Sequence, residues 1–112
     1  MRIAIPLTQG RLASHFGHCE EFALVDVDKE RNCIRMSDAL APPAHQPGVL
    51  PAWLAKQGAA LVIAGGMGQR AQELFRTHGI DVIVGAPAWD ADALVTAYLN
   101  GTLEAGDNVC GH

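Results

Sequence analysis

The sequence predicts a single α/β domain whose mixed sheet is covered by helices on both faces. Its length of 112 residues is that of one domain. The first third holds three strand-like segments, two of which are joined as a hairpin. From Gly48 onward a helical pattern, a glycine and a short apolar run alternate. We therefore expect residues 1–112 to form a single domain with one compact core.

The three early strands differ in pattern. Residues 2–7 and 22–27 are rich in Ile, Val, Leu and Phe, whereas residues 33–37 alternate between apolar and polar side chains. The charged segment 28–32 has five residues, a length that joins antiparallel neighbours. The second and third strands are therefore predicted to form a hairpin.

Three helices and two further strands are predicted in the rest of the chain. The apolar positions that share a helical face are Leu50, Trp53 and Leu54, then Met67, Ala71, Leu74, Phe75 and His78, and finally Leu94, Ala97 and Tyr98. Asp90 is a candidate N-cap, and Gly58, Gly79 and Gly101 stand where the helices end. Residues 60–64 and 80–84 are continuous apolar runs, as in strands buried on both sides.

The resulting order, β-β-β-α-β-α-β-α, predicts a ribonuclease-H-like, five-stranded mixed sheet. Right-handed crossovers require strands one, three, four and five to run in one direction and strand two to oppose them. The loops at residues 8–19, 39–47, 65–69 and 85–89 should then gather at the carboxyl ends of the parallel strands, where open α/β sheets bind ligands.

Composition excludes several classes of protein. The formal charge of −4, with only 8 Lys and Arg residues, argues against nucleic acid as the main partner. Apolar residues make up 49% of the chain and charged residues 18%, values typical of a globular protein. The apolar run at the N-terminus is too short for a signal peptide or a membrane span, so we expect a cytoplasmic protein with no membrane partner. Three widely spaced cysteines indicate reduced thiols.

The segment from His15 to Cys19 places three potential metal ligands within five residues, namely His15, His18 and Cys19, beside Phe16. Imidazole and thiolate are ligands for copper, zinc and iron-sulfur chemistry. In the alternative interpretation His15 caps a turn, while Phe16 and Cys19 belong to the core. His45, among three prolines, is a further candidate ligand, or else an ordinary surface histidine.

The segment Gly65, Gly66, Met67 and Gly68 joins a strand to a helix. Glycines allow close approach, and the helix N-terminus offers N–H groups to an anion. Its spacing fits neither a dinucleotide fingerprint nor a phosphate loop. Met67 could contact a soft metal, although methionine at that helical spacing is more often a core residue.

Other constellations are weaker. Cys110 and His112 could fold over a metal, but a frayed, solvated chain end is the simpler account. The first strand carries no carboxylate, so a two-metal nuclease is not expected. A Cys-His pair at Cys19 and His18 would need side chains that point together. We therefore predict that the chain is not an enzyme.

Four segments together resemble the dinitrogenase iron-molybdenum cofactor biosynthesis family: HFGHCEEF, AHQPG, AGGMGQRA and GIDVIVGAP. The resemblance implies a small ribonuclease-H-like domain that carries or stores nitrogenase cofactor precursors. It also implies a molybdenum-copper sulfide cluster or a related iron-molybdenum cluster against the first loop and the GGMG turn. Its predicted binding residues are His15, His18, Cys19 and His45 as metal ligands, with Phe16, Gly65, Gly66, Met67 and Gly68 around the cofactor.

The expected function is thus non-enzymatic binding, storage or delivery of a metal-sulfide cluster. Cluster-assembly proteins or ATPase-type proteins are the partners that this role implies. Two alternatives stay open, a regulatory or assembly-partner module without metal and a mononuclear zinc- or copper-binding protein.

Overall fold

The fold is a mixed β-sheet with helices on both faces. The computed structural model describes residues 1–16, 19–43 and 48–103. Over these residues the elements in chain order are β1 (Arg2–Thr8), β2 (Arg11–Leu12), β3 (Glu21–Asp28), β4 (Cys33–Leu40), α1 (Val49–Lys56), β5 (Leu61–Ile63), α2 (Gln69–Thr77), β6 (Asp81–Ile83) and α3 (Ala91–Leu99). None of these helices is both long and apolar enough to span a membrane.

The strand directions are those predicted. The sheet order is β4-β3-β1-β5-β6, with β2 paired to β1 alone. Strand β3 is antiparallel to both β1 and β4, whereas β1, β5 and β6 are parallel. Strands β1, β4, β5 and β6 therefore run in one direction, and their carboxyl ends lie at one edge of the sheet. We call it the carboxyl edge.

The prediction of five strands is wrong, because β2 forms a sixth among the residues described. It has two residues and pairs antiparallel with the end of β1, Leu7 opposite Leu12. Gln9 and Gly10 make the turn with φ of 54° and 76°, the two successive positive values of a tight hairpin turn. Two residues are too few to show a periodic pattern, and Gln-Gly is a weaker hairpin signal than Asn-Gly.

Two apolar clusters hold the helices against the two faces of the sheet. On one face, Phe22 and Leu24 of β3 pack with Leu54 of α1 and Phe75 of α2. On the other, alternate residues of β1 and β3 pack with Leu94 and Val95 of α3. We call these the α1/α2 face and the α3 face. Helices on both faces are thus confirmed, whereas the ribonuclease-H-like assignment stays a prediction.

Helix ends follow the predicted caps. The Asp90 side chain accepts a hydrogen bond from the Ala93 N–H at 2.8 Å, which caps α3. Gly79, after α2, has φ of 74°, a left-handed conformation that glycine adopts without a steric cost. Helix α2 begins two residues later than its apolar pattern starts, so Met67 lies in the preceding loop. The loop after β5 therefore ends at Gly68, within one residue of the predicted range 65–69.

The acidic residues of the β3–β4 hairpin have structural roles. Asp26 accepts two hydrogen bonds from the Arg2 guanidinium, at 2.8 and 3.1 Å, where β1 begins. Asp28 accepts from the backbone N–H groups of Glu30 and Arg31 in the hairpin turn. Asp26 pairs with the first residue of β1, so this pair of carboxylates lies away from the carboxyl edge, as predicted.

Removing the Arg2–Asp26 ion pair should cost little stability and should do so in a pH-dependent way. Arg2 holds the pKa of Asp26 below its ordinary value through the side-chain hydrogen bond. The stabilisation is therefore present above the unfolded pKa of about 3.9 and is lost as the pH falls through the lower folded pKa. Both side chains are about one-third exposed. We expect Asp26→Asn to lower the free energy of unfolding by about 0.2–1 kcal/mol at neutral pH.

Urea denaturation of wild type and Asp26→Asn at pH 7 and again near pH 2 tests this. The two curves should differ at the higher pH and coincide at the lower one. A difference that persists unchanged in acid would assign the effect to packing.

Candidate functional site

Three loops meet at the carboxyl edge through backbone hydrogen bonds. The Phe16 N–H donates to the Gly66 carbonyl at 2.9 Å, and the Gly85 N–H donates to the Gly65 carbonyl at 2.7 Å. The Leu12 N–H donates to the Trp89 carbonyl at 2.9 Å. The predicted convergence of the loops after the first strand, β5 and β6 is thus confirmed.

The fourth predicted loop follows β4. Its first residues start from the same edge, because Leu40 pairs with Phe22. Residues 44–47, which include His45, lie outside the part of the chain that the structure describes. The prediction that His45 joins the site therefore stays a prediction.

The three loops enclose a crevice of about 140 Å³. Its lining is small and uncharged: Leu12, Ala13, Ser14, Gly65, Gly85, Ala86 and Ala88. The chain turns from β1 toward β3 on one side, while β5 lies on the other side of β1. This is a switch point of the sheet, the place where open α/β sheets bind ligands. The crevice can hold a compact ligand, several times the size of one water molecule.

Gly65 is the closest approach between two walls of the crevice. A Cβ atom at this position would stand 3.0 Å from the Ala13 carbonyl oxygen and 3.4 Å from that of Ser14. Both neighbours are backbone atoms, so any side chain would displace the loop after β2. A Cβ atom at Gly68, by contrast, would meet nothing within 4 Å. A side chain at position 65 would therefore have to push these two backbone segments apart.

The N-terminus of α2 adjoins this crevice through Gly65 and Gly66. Its N-cap residue, Gly68, supplies no side-chain hydrogen bond, and the first turn contains no acidic residue. The first N–H groups of a helix have no partner inside the helix and favour negative charge nearby. No side chain thus caps the N-terminus of α2, as the GGMG segment predicts for an anion-binding turn.

Phe16 and Met67, both predicted to lie near the cofactor, belong to the core of the α1/α2 face. Phe16 is 6% exposed, and Met67 is 1% exposed. The Phe16 ring makes edge-on contacts with Phe22 and Phe75, at centroid distances of 5.6 and 5.2 Å. Both side chains therefore anchor their loops to the core, which is the role that the alternative interpretation gives to each residue. Direct contact with a cofactor stays a prediction.

The predicted metal ligands are only partly placed. His15 is exposed, and Cys19 is half-buried against the α1/α2 core without lining the crevice. His18 lies outside the described residues, as do Cys110 and His112. Within the described ranges no three His, Cys, Asp or Glu side chains come together as a metal site. A coordinating role for these residues stays a prediction.

The environment of Cys19 disfavours its thiolate. Burial raises the pKa of the Cys19 thiol, because a thiolate loses hydration there. A metal bound by this sulfur would first have to displace a proton, so such binding would strengthen with pH. At neutral pH Cys19 is a neutral thiol with the packing role of a small apolar side chain.

We expect iodoacetamide to modify Cys33 faster than Cys19 at pH 7, because Cys33 is exposed and Cys19 is half-buried with a raised pKa. Peptide mass spectrometry over a time course resolves the sites individually. In urea the two cysteines should react at equal rates, and this measurement is the reference. Equal rates in the native protein as well would contradict this assignment.

Of the seven residues that line the crevice, only Gly65 is among the predicted binding residues, and six were missed: Leu12, Ala13, Ser14, Gly85, Ala86 and Ala88. The predicted strand directions did place the loop after β6 at this edge. No residue-level pattern identifies small side chains as a lining, since Ala, Gly and Ser are common in any loop. The nearby Trp89, 45% exposed, is the one large apolar side chain exposed on this loop.

A family model and a relative of known sequence each match most of this chain. The family model described as dinitrogenase iron-molybdenum cofactor matches residues 1–101. The uncharacterized protein MJ0580 of Methanocaldococcus jannaschii is 32% identical over 107 residues, which cover 93% of this chain and 90% of that protein.

Solved structures share the fold. The crystal structure of PH0822 aligns with a TM-score of 0.86 and 29% identity over 94% of each chain. The apo form of the orange protein from Desulfovibrio gigas aligns with a TM-score of 0.76 and 21% identity, over 96% of this chain and 93% of that one. The FGHC segment predicts a likeness to the orange protein, and the alignment confirms that likeness at the level of the fold.

Proposed function

Because the chain belongs to the dinitrogenase iron-molybdenum cofactor family, we propose that it binds, stores or delivers a metal-sulfide cluster without catalysing a reaction of its own. The cluster is of the molybdenum-copper type or a precursor of the iron-molybdenum type. In this role the protein works in the cytoplasm and exchanges its cluster with assembly proteins or ATPase-type proteins.

The observation that carries the proposal is the chemistry of the crevice. Its lining of small, uncharged residues lies next to an uncapped helix N-terminus, at the switch point of the sheet. A sulfide-bridged cluster brings its own ligands and its own negative charge. It therefore needs close backbone approach, N–H donors and apolar cover more than it needs a full set of protein ligands.

The proposed contacts come from two sides of the carboxyl edge. Gly65, Gly66 and Gly68 admit the cluster to the backbone, and the first turn of α2 supplies N–H donors. His15, His18, Cys19 and His45 are the proposed metal ligands from the loops after β1 and β4. Phe16 and Met67 support these loops from the core.

The FGHC segment, on which the likeness to the orange protein is predicted, supports the molybdenum-copper option. The family description supports the iron-molybdenum option. Both clusters are compact, sulfide-bridged and anionic, so the same crevice chemistry suits either. Metal identity is therefore decided by measurement on the protein.

A regulatory or assembly-partner module without metal is the second candidate. The exposed Trp89 beside the crevice favours it, since exposed tryptophan is common at the centres of protein interfaces. A mononuclear zinc or copper site receives less support, because the described residues assemble no group of three ligands.

Metal analysis and the visible spectrum of protein purified without oxygen separate the three candidates. A cluster protein should carry molybdenum with copper or iron, and it should show charge-transfer bands. Titration of the apo-protein with tetrathiomolybdate and copper(I) should restore those bands, and the Cys33→Ser variant should behave as wild type because Cys33 lies on the β3–β4 hairpin. Stoichiometric zinc without visible bands would favour the mononuclear site. Colourless protein that takes up no metal in titration would favour the partner module.

A further inference from the structure

The edge strand β4 is almost entirely exposed. Seven of its eight residues are exposed and Ile34 is partly buried, whereas the adjacent β3 is mostly buried. Between described residues, no backbone hydrogen bond reaches the outer side of β4. Met36 is 57% exposed and Leu40 is 38% exposed on this strand. A long edge with apolar side chains and free backbone groups is a template for pairing with another strand.

The backbone groups that point outward can be identified from the ladder. Val27 and Met1 exchange backbone hydrogen bonds, so odd-numbered residues of β3 turn their N–H and C=O groups toward β1. Even-numbered residues of β3 then face β4, and their partners Met36, Asp38 and Leu40 face back. Ser37 and Ala39 therefore present their N–H and C=O groups to the outside.

The charges on β4 are self-complementary. Asp38 and Met36 lie on the α1/α2 face, opposite Leu24 and Asp26 of β3. Arg35 is the extra residue of a bulge at this point. The pKa of Asp26 is lowered first by Arg2 and more weakly by the charge of Arg35. Arg35 and Asp38 are both exposed, so they place opposite charges near the middle of one edge strand.

We propose that a second copy of this chain pairs with β4 in an antiparallel arrangement centred on Ser37, joining two sheets into one. In this register the outward groups of Ser37 bond to those of Ser37 in the other copy. Asp38 of each copy faces Met36 of the other and lies beside its Arg35, which forms two ion pairs and covers the exposed Met36. This surface is separate from the proposed cluster site.

Two other symmetric registers would bring like charges together. A two-fold axis normal to the sheet keeps each side chain on its own face, so residues of one face must oppose each other. Centring the pair on Asp38 would place two carboxylates opposite one another, and centring it on Arg35 would do the same with two guanidinium groups. The bulge at Arg35 limits the regular ladder, so the dimer should be weak and concentration-dependent.

The arrangement leaves both crevices open. The two-fold axis reverses the direction of the second sheet, so the two carboxyl edges point in opposite directions. Strands β1, β5 and β6 lie on the far side of β3 from the interface. Each protomer can therefore load or release a ligand independently of the other.

Sedimentation velocity over a range of protein concentrations tests the proposal. Wild type should show a dimer fraction that rises with concentration. Ser37→Pro removes an outward N–H without removing a bond to β3, so it should be monomeric with an unchanged circular dichroism spectrum. Ser37→Ala keeps that N–H and should dimerise as wild type does. Wild type that stays monomeric up to about 1 mM, a dissociation constant equivalent to only about 4 kcal/mol, would overturn the proposal.

Charge reversal tests the register. Arg35→Asp and Asp38→Arg each create two like-charge contacts, so each should weaken the dimer by about tenfold or more. The double variant should restore it. A dimer that persists in Ser37→Pro, or single reversals without effect, would place the interface elsewhere and overturn the pairing.

Discussion

Replacing Phe16 by alanine should lower the free energy of unfolding by about 3–5 kcal/mol, the cost of removing a buried phenylalanine. Phe16 is almost fully buried and stacks edge-on against Phe22 and Phe75. It is also tied through its N–H to the Gly66 carbonyl. The variant should therefore lose stability and loosen the loop that carries His15 and Cys19.

Urea denaturation at pH 7 measures the first effect, with Trp89→Ala as the matched aromatic control. Because Trp89 is 45% exposed and Phe16 only 6%, removing the Trp89 side chain should cost clearly less stability than removing that of Phe16. Equal losses in the two variants would contradict the role assigned to Phe16 as the anchor of the loop.

Gly65→Ala should disrupt the crevice. Among the glycines of the carboxyl edge whose surroundings the structure describes, Gly65 is the one at which an added methyl group should disturb the crevice most. The new Cβ would press on the Ala13 carbonyl oxygen at 3.0 Å, and backbone at both contacts leaves no flexible side chain to move aside. Overpacking of this kind costs about 1–3 kcal/mol. The loops after β2 and β5 should move apart, and cluster binding should weaken with them.

Gly68→Ala is the matched control for this substitution. Gly68 has φ of −63° and ψ of 153°, and a Cβ atom there meets open space. Its fold and thermal midpoint should match wild type, because alanine adopts this conformation without strain. If Gly65→Ala keeps both wild-type stability and the charge-transfer bands on reconstitution, the close approach has no functional role.

The order of helices and strands was predictable because several independent patterns in the sequence indicated the same elements. Apolar runs, helical faces and the glycines after each helix gave the order of elements, and right-handed crossovers then gave the strand directions. The miss was β2, since a two-residue strand has no period and its Gln-Gly turn is not a typical hairpin sequence. Strand β4 also extends to Leu40, beyond the predicted residue 37, because its polar outer residues suit an exposed edge.

The strand directions predicted the sheet edge at which the candidate site lies, but no sequence pattern predicted most of the residues that line the crevice. Strand directions brought residues 65–68 and the loop after β6 together, which the bond between Gly85 and Gly65 confirms. Apart from Leu12, the lining consists of Ala, Gly and Ser, whose small side chains leave the crevice open. Phe16 and Cys19 were predicted as site residues because they neighbour histidines, and the structure adds that both pack against the core of the α1/α2 face. Their contact with a cofactor stays a prediction, because a one-dimensional pattern does not show which side chains face the crevice.

The most direct test of the proposed site is to map where a cluster binds. Copper(I) and molybdenum(VI) have no unpaired electrons, so amide signals near a copper-tetrathiomolybdate cluster stay sharp in a nitrogen-15 correlation spectrum. Titration into wild type should shift the amides of Ser14, Gly65, Gly85 and Ala86 together, while those of the β3–β4 hairpin stay fixed. Shifts confined to residues 104–112, or no shifts at saturating cluster, would contradict the crevice as the binding site.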